Sequence, residues 1–263
     1  GYGSYEYQKT HTGGVTAPGK PLVATEGFGN TNPAGDSPGS AWWPEDIHGR
    51  YYPRWFLKQF VGGSPISISY DFVDDGTNAT NPEDNFGLLR HDLSEKPAYK
   101  AIKNLLNLLK EPNANFTPGS VDITISGDTN GVQQCLLQKS NGTYYLCVWL
   151  DKKSWNMDSW DGPLGRRAVN AQNVTLSVPS FSGSSATYYT LDDPGNMTSS
   201  AKTISSGKTI DLAVTDRVAV VQFSTAMASG TNLVSNPSFD AENFDTQTPS
   251  GWNEGAWDAN WNP

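Results

Sequence analysis

Glu26 closes the run KPLVATE and is followed at once by GFG. A carboxylate at the end of a strand in a β/α sheet points into the site above the sheet, while the apolar residues before it pack below. Placed there, Glu26 has the chemistry of a nucleophile or a proton carrier. Cleaving a glycosidic bond takes two such carboxyl groups, about 5 to 5.5 Å apart when the configuration is retained. The chain shows one strand-end glutamate, and position alone also allows Glu26 to be a helix N-cap or an ion-pair partner. Asp71 stands at the end of a second strand-like run, SPISISYDF, and Asp74 and Asp75 follow it. Their oxygens suit sugar hydroxyls or a cation, but the spacing lacks the Gly and Glu positions of an EF-hand loop, so a solvated or helix-capping role is expected. His48, Arg50 and Arg54 open an aromatic helix, where they could orient Glu26 or touch substrate, although basic residues there are more often surface groups. His48 has no metal-ligand partner at a recognised spacing. A Gly-rich phosphate loop and a nucleophilic serine elbow are both absent, and neither a metal nor a cofactor is expected.

The elements that must hold these groups are legible over residues 1–112 as β/α units. PLVATE reads as a short strand. HGRYYPRWFLKQFVG carries Tyr52, Trp55, Phe56 and Phe60 at helical spacing and stops at Gly62-Gly63, where the left-handed conformation is available. SPISISYDF is a second strand, and KPAYKAIKNLLNLLK sets Tyr99, Ile102, Leu105, Leu106 and Leu109 on one helical face, with Pro97 in the first turn. Two units cannot close a parallel sheet, because each strand needs neighbours on both sides and helices over both faces. The expectation is therefore that 1–112 supplies the last two units of a (β/α)₈ (TIM) barrel whose earlier strands lie upstream of Gly1.

From 113 to 226 the period changes to two: SVDITIS, QQCLLQK, TYYLCVWL, NVTLSV, ATYYTL, KTIDLAV and RVAVVQF, with turn residues between. That is the pattern of an antiparallel β-sandwich, which makes the chain α/β plus all-β. Cys135 and Cys147 flank Ser140-Asn141-Gly142. A three-residue loop with Gly142 left-handed makes the cysteines direct cross-strand neighbours, whereas a two-residue Asn-Gly turn sends them to opposite faces. Either a disulfide or two buried thiols fits. Residues 227–263 read as a linker and the start of a further module.

Composition narrows the function classes. The formal charge of -9 and the lack of a Lys/Arg cluster argue against a phosphate-binding surface, so nucleic acid is not an expected partner. No run approaches the length of a membrane helix. Nine Trp, eleven Tyr and ten Phe supply flat rings with polar edges, suited to sugar C–H faces when they are not core. Sequons at Asn78, Asn115, Asn141, Asn173 and Asn196 permit glycosylation in a eukaryotic host.

The phrases KPLVATEGFG, SISYDFVDDG, EDNFGLL and SEKPAYKAIKNLL together resemble the end of clan A glycoside hydrolases, over about the first 110 residues. The resemblance implies a secreted, retaining (β/α)₈ enzyme acting on a polysaccharide or oligosaccharide. Glu26 maps onto the nucleophile that ends the seventh strand, and Tyr70 onto the aromatic of the eighth, where the clan usually has tryptophan. Trp42 and Trp43, on the loop after Glu26, are the alternative sugar platform. The acid/base glutamate of the clan would lie upstream of Gly1, leaving this chain alone inactive. NLVSNPSF with a later GW resembles the opening of galactose-binding-like carbohydrate-binding modules. The competing expectation is a non-catalytic carbohydrate-binding or cell-surface accessory protein in which 1–112 is a degenerate remnant.

Overall fold

The computed structural model describes residues 23, 27, 29–31, 43–64, 66–113, 115–156 and 163–226. Glu26, Trp42, most of the expected strand 21–26 and the segment 227–263 lie outside the described residues.

Helix α1 spans Glu45–Val61 and α2 spans Pro97–Leu109. Pro97 stands at the start of α2, where its missing N–H costs nothing and its φ is already helical. The end of α1 falls at Gly62, with Gly63 at φ 92°. The helices pack closely enough that a Cβ on Gly49 would lie 2.9 Å from Pro97 Cβ. Between them Tyr52, Leu88 and Ala98 form a buried cluster flanked by Phe56, Tyr99 and Ile102. The inward stripe of α2 is Ala98, Ala101 and Leu105, and Leu106 is exposed. One step of about 100° round the helix from Leu105 carries Leu106 off the stripe, which corrects its assignment to the packed face.

The remaining strands form antiparallel sheets. They are β1 (Thr124–Gly127), β2 (Val132–Gln138), β3 (Tyr144–Leu150), β4 (Trp155–Asn156), β5 (Gly165–Arg166), β6 (Gln172–Ser177), β7 (Ser185–Leu191), β8 (Met197–Thr203), β9 (Thr209–Val214) and β10 (Ala219–Phe223). One sheet has the order β1-β6-β9 and another β2-β3-β10-β7-β8, with β4-β5 a small ribbon. The two larger sheets share one core: Tyr144, Leu146, Val148 and Leu150 from β3 meet Val174 and Leu176 from β6 and Ile210, Leu212 and Val214 from β9.

All seven residues of β3 are buried. Its alternate face, Tyr145, Cys147 and Trp149, packs with Leu57 of α1 and Ala101 and Leu105 of α2. A strand covered on both faces must be apolar throughout, which is why TYYLCVWL breaks the alternation of its neighbours. The β2–β3 hairpin has the three-residue loop: Lys139 N–H donates to Thr143 O at 2.9 Å and Gly142 takes φ 83°. Cys135 therefore pairs directly with Cys147, and both are buried free thiols. Burial pushes the Cys135 thiol up to about 11 and that of Cys147 higher still, so neither is a ready nucleophile.

His48 is sealed into α1, its ring stacked on Trp43 at 5.8 Å and edge-on to Tyr52 at 5.0 Å. Burial, reinforced by the Lys96 ammonium, lowers its pKa from 6.5 to about 3. The unfolded chain takes up a proton on this ring at a pH where the folded chain does not. The stabilisation is complete above about pH 6.5 and falls by about 1.4 kcal/mol per pH unit towards pH 3. Urea unfolding of the wild type and His48→Gln across that window should show the wild type losing stability more steeply as pH falls. Parallel curves would contradict this.

Candidate functional site

The residue after Glu26 is held against the elements that follow. Tyr70 N–H donates to Gly27 O at 2.8 Å. A Cβ on Gly27 would lie 2.5 Å from Trp55 Cζ2, and one on Gly29 2.8 Å from Trp43 Cζ3. Only glycine lets this backbone lie on the two indoles, so the GFG after Glu26 is a packing requirement of α1 and its entry. The position next to Glu26 and the backbone of Tyr70 are thereby neighbours.

Tyr70 is 40% exposed, its ring edge-on to Phe86 at 5.4 Å, and its peptide bond to Asp71 is cis. Ile66, Ile68, Tyr70 and Phe72 are all exposed, at 55%, 48%, 40% and 57%, while Ser67, Ser69 and Asp71 between them are partly covered. The described residues 66–73 hold isolated bridges at Ser67 and at Val73, the latter to Leu89, but no ladder, so the expected second strand is not a strand element among them. Its period of two is intact, and its apolar face is largely exposed, with only the rings of Tyr70 and Phe72 meeting Phe86 and Tyr99 edge-on among the described residues. Such a row, at two-residue spacing, is the mark of a strand whose one side belongs in a core.

Trp43 is 3% exposed, clustered with Ile47, Tyr51 and Trp155. With both His48 and Tyr51 against its ring it has no open face for a sugar, so it serves packing and the platform expectation does not carry to it. Arg50 and Arg54 also depart from expectation. Arg50 pairs with Asp193 at 2.8 Å and Asp216 at 3.4 Å, across to the sheets. Arg54 is buried, lies 4.3 Å over the Tyr51 ring and donates to Leu150 O at 2.7 Å and Lys152 O at 3.1 Å. Tyr51 Oη accepts from the N–H groups of Ser154 at 2.6 Å and Trp155 at 3.0 Å. Arg54 and Tyr51 bind α1 to the chain leaving β3, and Arg50 binds it to the turns after β7 and before β10.

The chief structural group that sequence reasoning missed is Lys96. Its Nζ, on a side chain 1% exposed, donates to Asp74 Oδ1 at 2.6 Å and Thr31 Oγ1 at 2.9 Å. Thr31 donates its N–H to Asn85 O at 3.0 Å, and Asp74 also accepts from Gly87 N–H at 2.8 Å. The ammonium thus joins the segment five residues after Glu26, the segment four after Tyr70, the 3₁₀ turn Pro82–Asn85 and the start of α2. Asp74 is an ion-pair residue, not the solvated or capping group expected. Burial holds the Asp74 carboxyl above its usual range and the Lys96 ammonium below its own, each partly offset by the other. A signal was present: a lysine immediately before the proline that opens α2 sits at the positive end of the helix dipole, where a surface cation is unfavourable. Among the described residues, no group of three or more His, Cys, Asp or Glu could hold a metal, and no helix is long and apolar enough to cross a membrane.

The chain is similar in fold to a family 39 glycoside hydrolase from the gut symbiont Bacteroides cellulosilyticus WH2, at 20% identity and a TM-score of 0.50, covering 83% of this chain and 37% of that one. Further likenesses are to the catalytic domain of a GH30 xylanase C from Talaromyces cellulolyticus, at 12% identity and a TM-score of 0.46 over 79% of this chain and 41% of that one. The third is a bifunctional glucanase-xylanase from a metagenome library, at 12% identity and a TM-score of 0.45 over 85% of this chain and 34% of that one. At 20% identity the likeness to the family 39 glycoside hydrolase is one of fold alone, and the chain spans less than half the length of each of the three proteins. No protein-family model and no curated protein matches it.

Lys96→Met should lower the unfolding free energy by about 3 to 5 kcal/mol, since Asp74 is left buried without its partner. Lys58→Met breaks the exposed pair with Asp151, 2.7 Å apart, and should cost about 1 kcal/mol or less. Urea titrations of both variants check this, and equal losses would contradict it.

Proposed function

We propose that this chain is the C-terminal part of a retaining glycoside hydrolase, comprising the last two units of a (β/α)₈ barrel and a β-sandwich packed on it. In the whole protein Glu26 attacks the anomeric carbon of a polysaccharide or oligosaccharide. The glycosyl-enzyme is then released to water activated by an acid/base carboxylate on an earlier strand. The observation that carries this reading is the hydrogen bond from Tyr70 N–H to Gly27 O at 2.8 Å. It makes neighbours of the two positions that, in a parallel barrel, end adjacent strands above the site.

Two further features support the reading. The exposed row Ile66, Ile68, Tyr70 and Phe72 has the spacing of a strand with one face in a barrel interior, where the earlier strands would cover it. The fold likeness to a family 39 glycoside hydrolase agrees with this placement. In this reading Tyr70, exposed at the strand end, contacts the sugar, and Trp42 is the remaining candidate platform. Secretion and a carbohydrate-binding module starting near Asn232 belong to the same proposal.

In the full-length parent, Glu26→Gln should lower kcat/KM by about a thousandfold or more with the melting temperature unchanged, because the carboxamide cannot form the ester intermediate. Steady-state kinetics on the polysaccharide the parent cleaves make the check. Wild-type turnover by Glu26→Gln would sink the proposal, and a parent that cleaves no polysaccharide at all would favour the non-catalytic binder.

A further inference from the structure

At one end of the two-sheet unit, three loops meet around a cleft of about 720 Å³. They are the β1–β2 turn at Asp128, the chain leaving β3 at Lys152 and Lys153, and the approach to β6 from Arg167 to Gln172. Among the described residues the lining carries three cations against one carboxylate, in a chain whose formal charge is -9.

The arginines make the contrast plain. Arg50, Arg90, Arg166 and Arg217 each pair with a carboxylate, and Arg54 donates to backbone carbonyls. Arg167 is the one arginine among the described residues with only its backbone N–H engaged, donating to Ser154 O at 2.9 Å. Its half-buried guanidinium offers a fork of donors to the cleft and meets no acceptor among the described residues. Lys152 is likewise half-buried, and Arg54, by gripping Lys152 O, fixes the backbone that carries it. On the floor, buried Gln172 donates its Nε2 to Asp128 Oδ1, which orients that carboxylate. Gln172 Oε1 is buried without a protein donor among the described residues. Ala168, Val169 and Ala171 supply apolar wall, and Asn170 a donor and an acceptor.

We propose that this cleft binds an acidic sugar residue, with Arg167 and Lys152 on its carboxylate or sulfate and Asp128 and Asn170 on its hydroxyls. A planar guanidinium takes a carboxylate or sulfate through two parallel hydrogen bonds, and the lysine adds a point charge. A carboxylate held by Gln172 is an acceptor that a bare anion would avoid and a hydroxyl would satisfy. The volume falls within the ~300–1,000 Å³ of small-molecule sites, far above what an inorganic anion fills. The site stands apart from the glycosidase reading: it is read by binding, without turnover, and Glu26→Gln leaves it unchanged.

Calorimetric titration of the 263-residue chain with trigalacturonate, a sulfated disaccharide, maltotriose and inorganic sulfate tests it. At least one acidic sugar should bind saturably, with maltotriose and inorganic sulfate about tenfold weaker or more, and the stronger arm identifies the acidic group. Arg167→Gln and Lys152→Gln should each weaken that binding by about tenfold or more, as expected for loss of a charged hydrogen bond, while Lys110→Gln, outside the cleft, leaves it unchanged. Neither cleft side chain holds a partner among the described residues, so both variants should keep the wild-type melting temperature. Failure of both acidic sugars to bind would overturn the proposal. So would binding that survives both cleft substitutions, or inorganic sulfate binding as tightly as the acidic sugars.

Discussion

A buried ammonium carries four parts of the chain to one point. Lys96 Nζ lies within hydrogen-bond distance of Asp74, Thr31 and, at 3.4 Å, Asn85 O. Taking a lysine and an aspartate out of water is costly, and the pair is tolerable only because further hydrogen bonds satisfy both ends. That cost makes the geometry specific. The loops after Gly27 and after Tyr70 cannot shift independently without stranding a charge. Only because those loops are held can the backbone of Tyr70 meet that of Gly27, with glycines lying on Trp55 and Trp43.

The same economy of contacts joins the helices to the sheets. Strand β3 divides two cores, one between the sheets and one beneath α1 and α2. Over that apolar contact α1 adds polar ties: Tyr51 to the backbone after β3, Arg54 to its last carbonyl, Arg50 to Asp193 and Asp216. Residues on either side of position 112 therefore fold against one another. The proposed acidic-sugar cleft lies at the end of this joint, since Arg54 fixes the backbone of Lys152.

Sequence made much of this legible where a local rule decides. Pro97 and Gly62-Gly63 bounded the helices, and alternation located β2, β6, β7, β9 and β10. The hairpin loop at Ser140–Gly142 was one of two readings until the Lys139–Thr143 pairing selected it. Strand β8 was missed because it is an edge strand: Met197–Thr203 is polar and mostly exposed, so it has no apolar alternation to read. Contacts distant in sequence were out of reach. The Lys96–Asp74 pair spans 22 residues and Arg54–Leu150 spans 96, and no periodicity reports either. Trp43 shows the limit from the other side, since a tryptophan reads the same whether it faces a sugar or, as here, a histidine and a tyrosine.

Of the proposed site, the described residues contribute the Gly27 backbone beside Tyr70 and the scaffold that holds it. The proposed mechanism requires a covalent bond between Glu26 and the sugar during turnover, and that bond is the most direct thing to observe. The full-length parent should be treated with a fluorinated analogue of its substrate that slows release of the glycosyl-enzyme, then digested and mapped by mass spectrometry. The account predicts one glycosyl adduct per chain, on the peptide containing Glu26 and at that carboxylate. An adduct on a different carboxylate, or turnover that passes through no adduct, would contradict it.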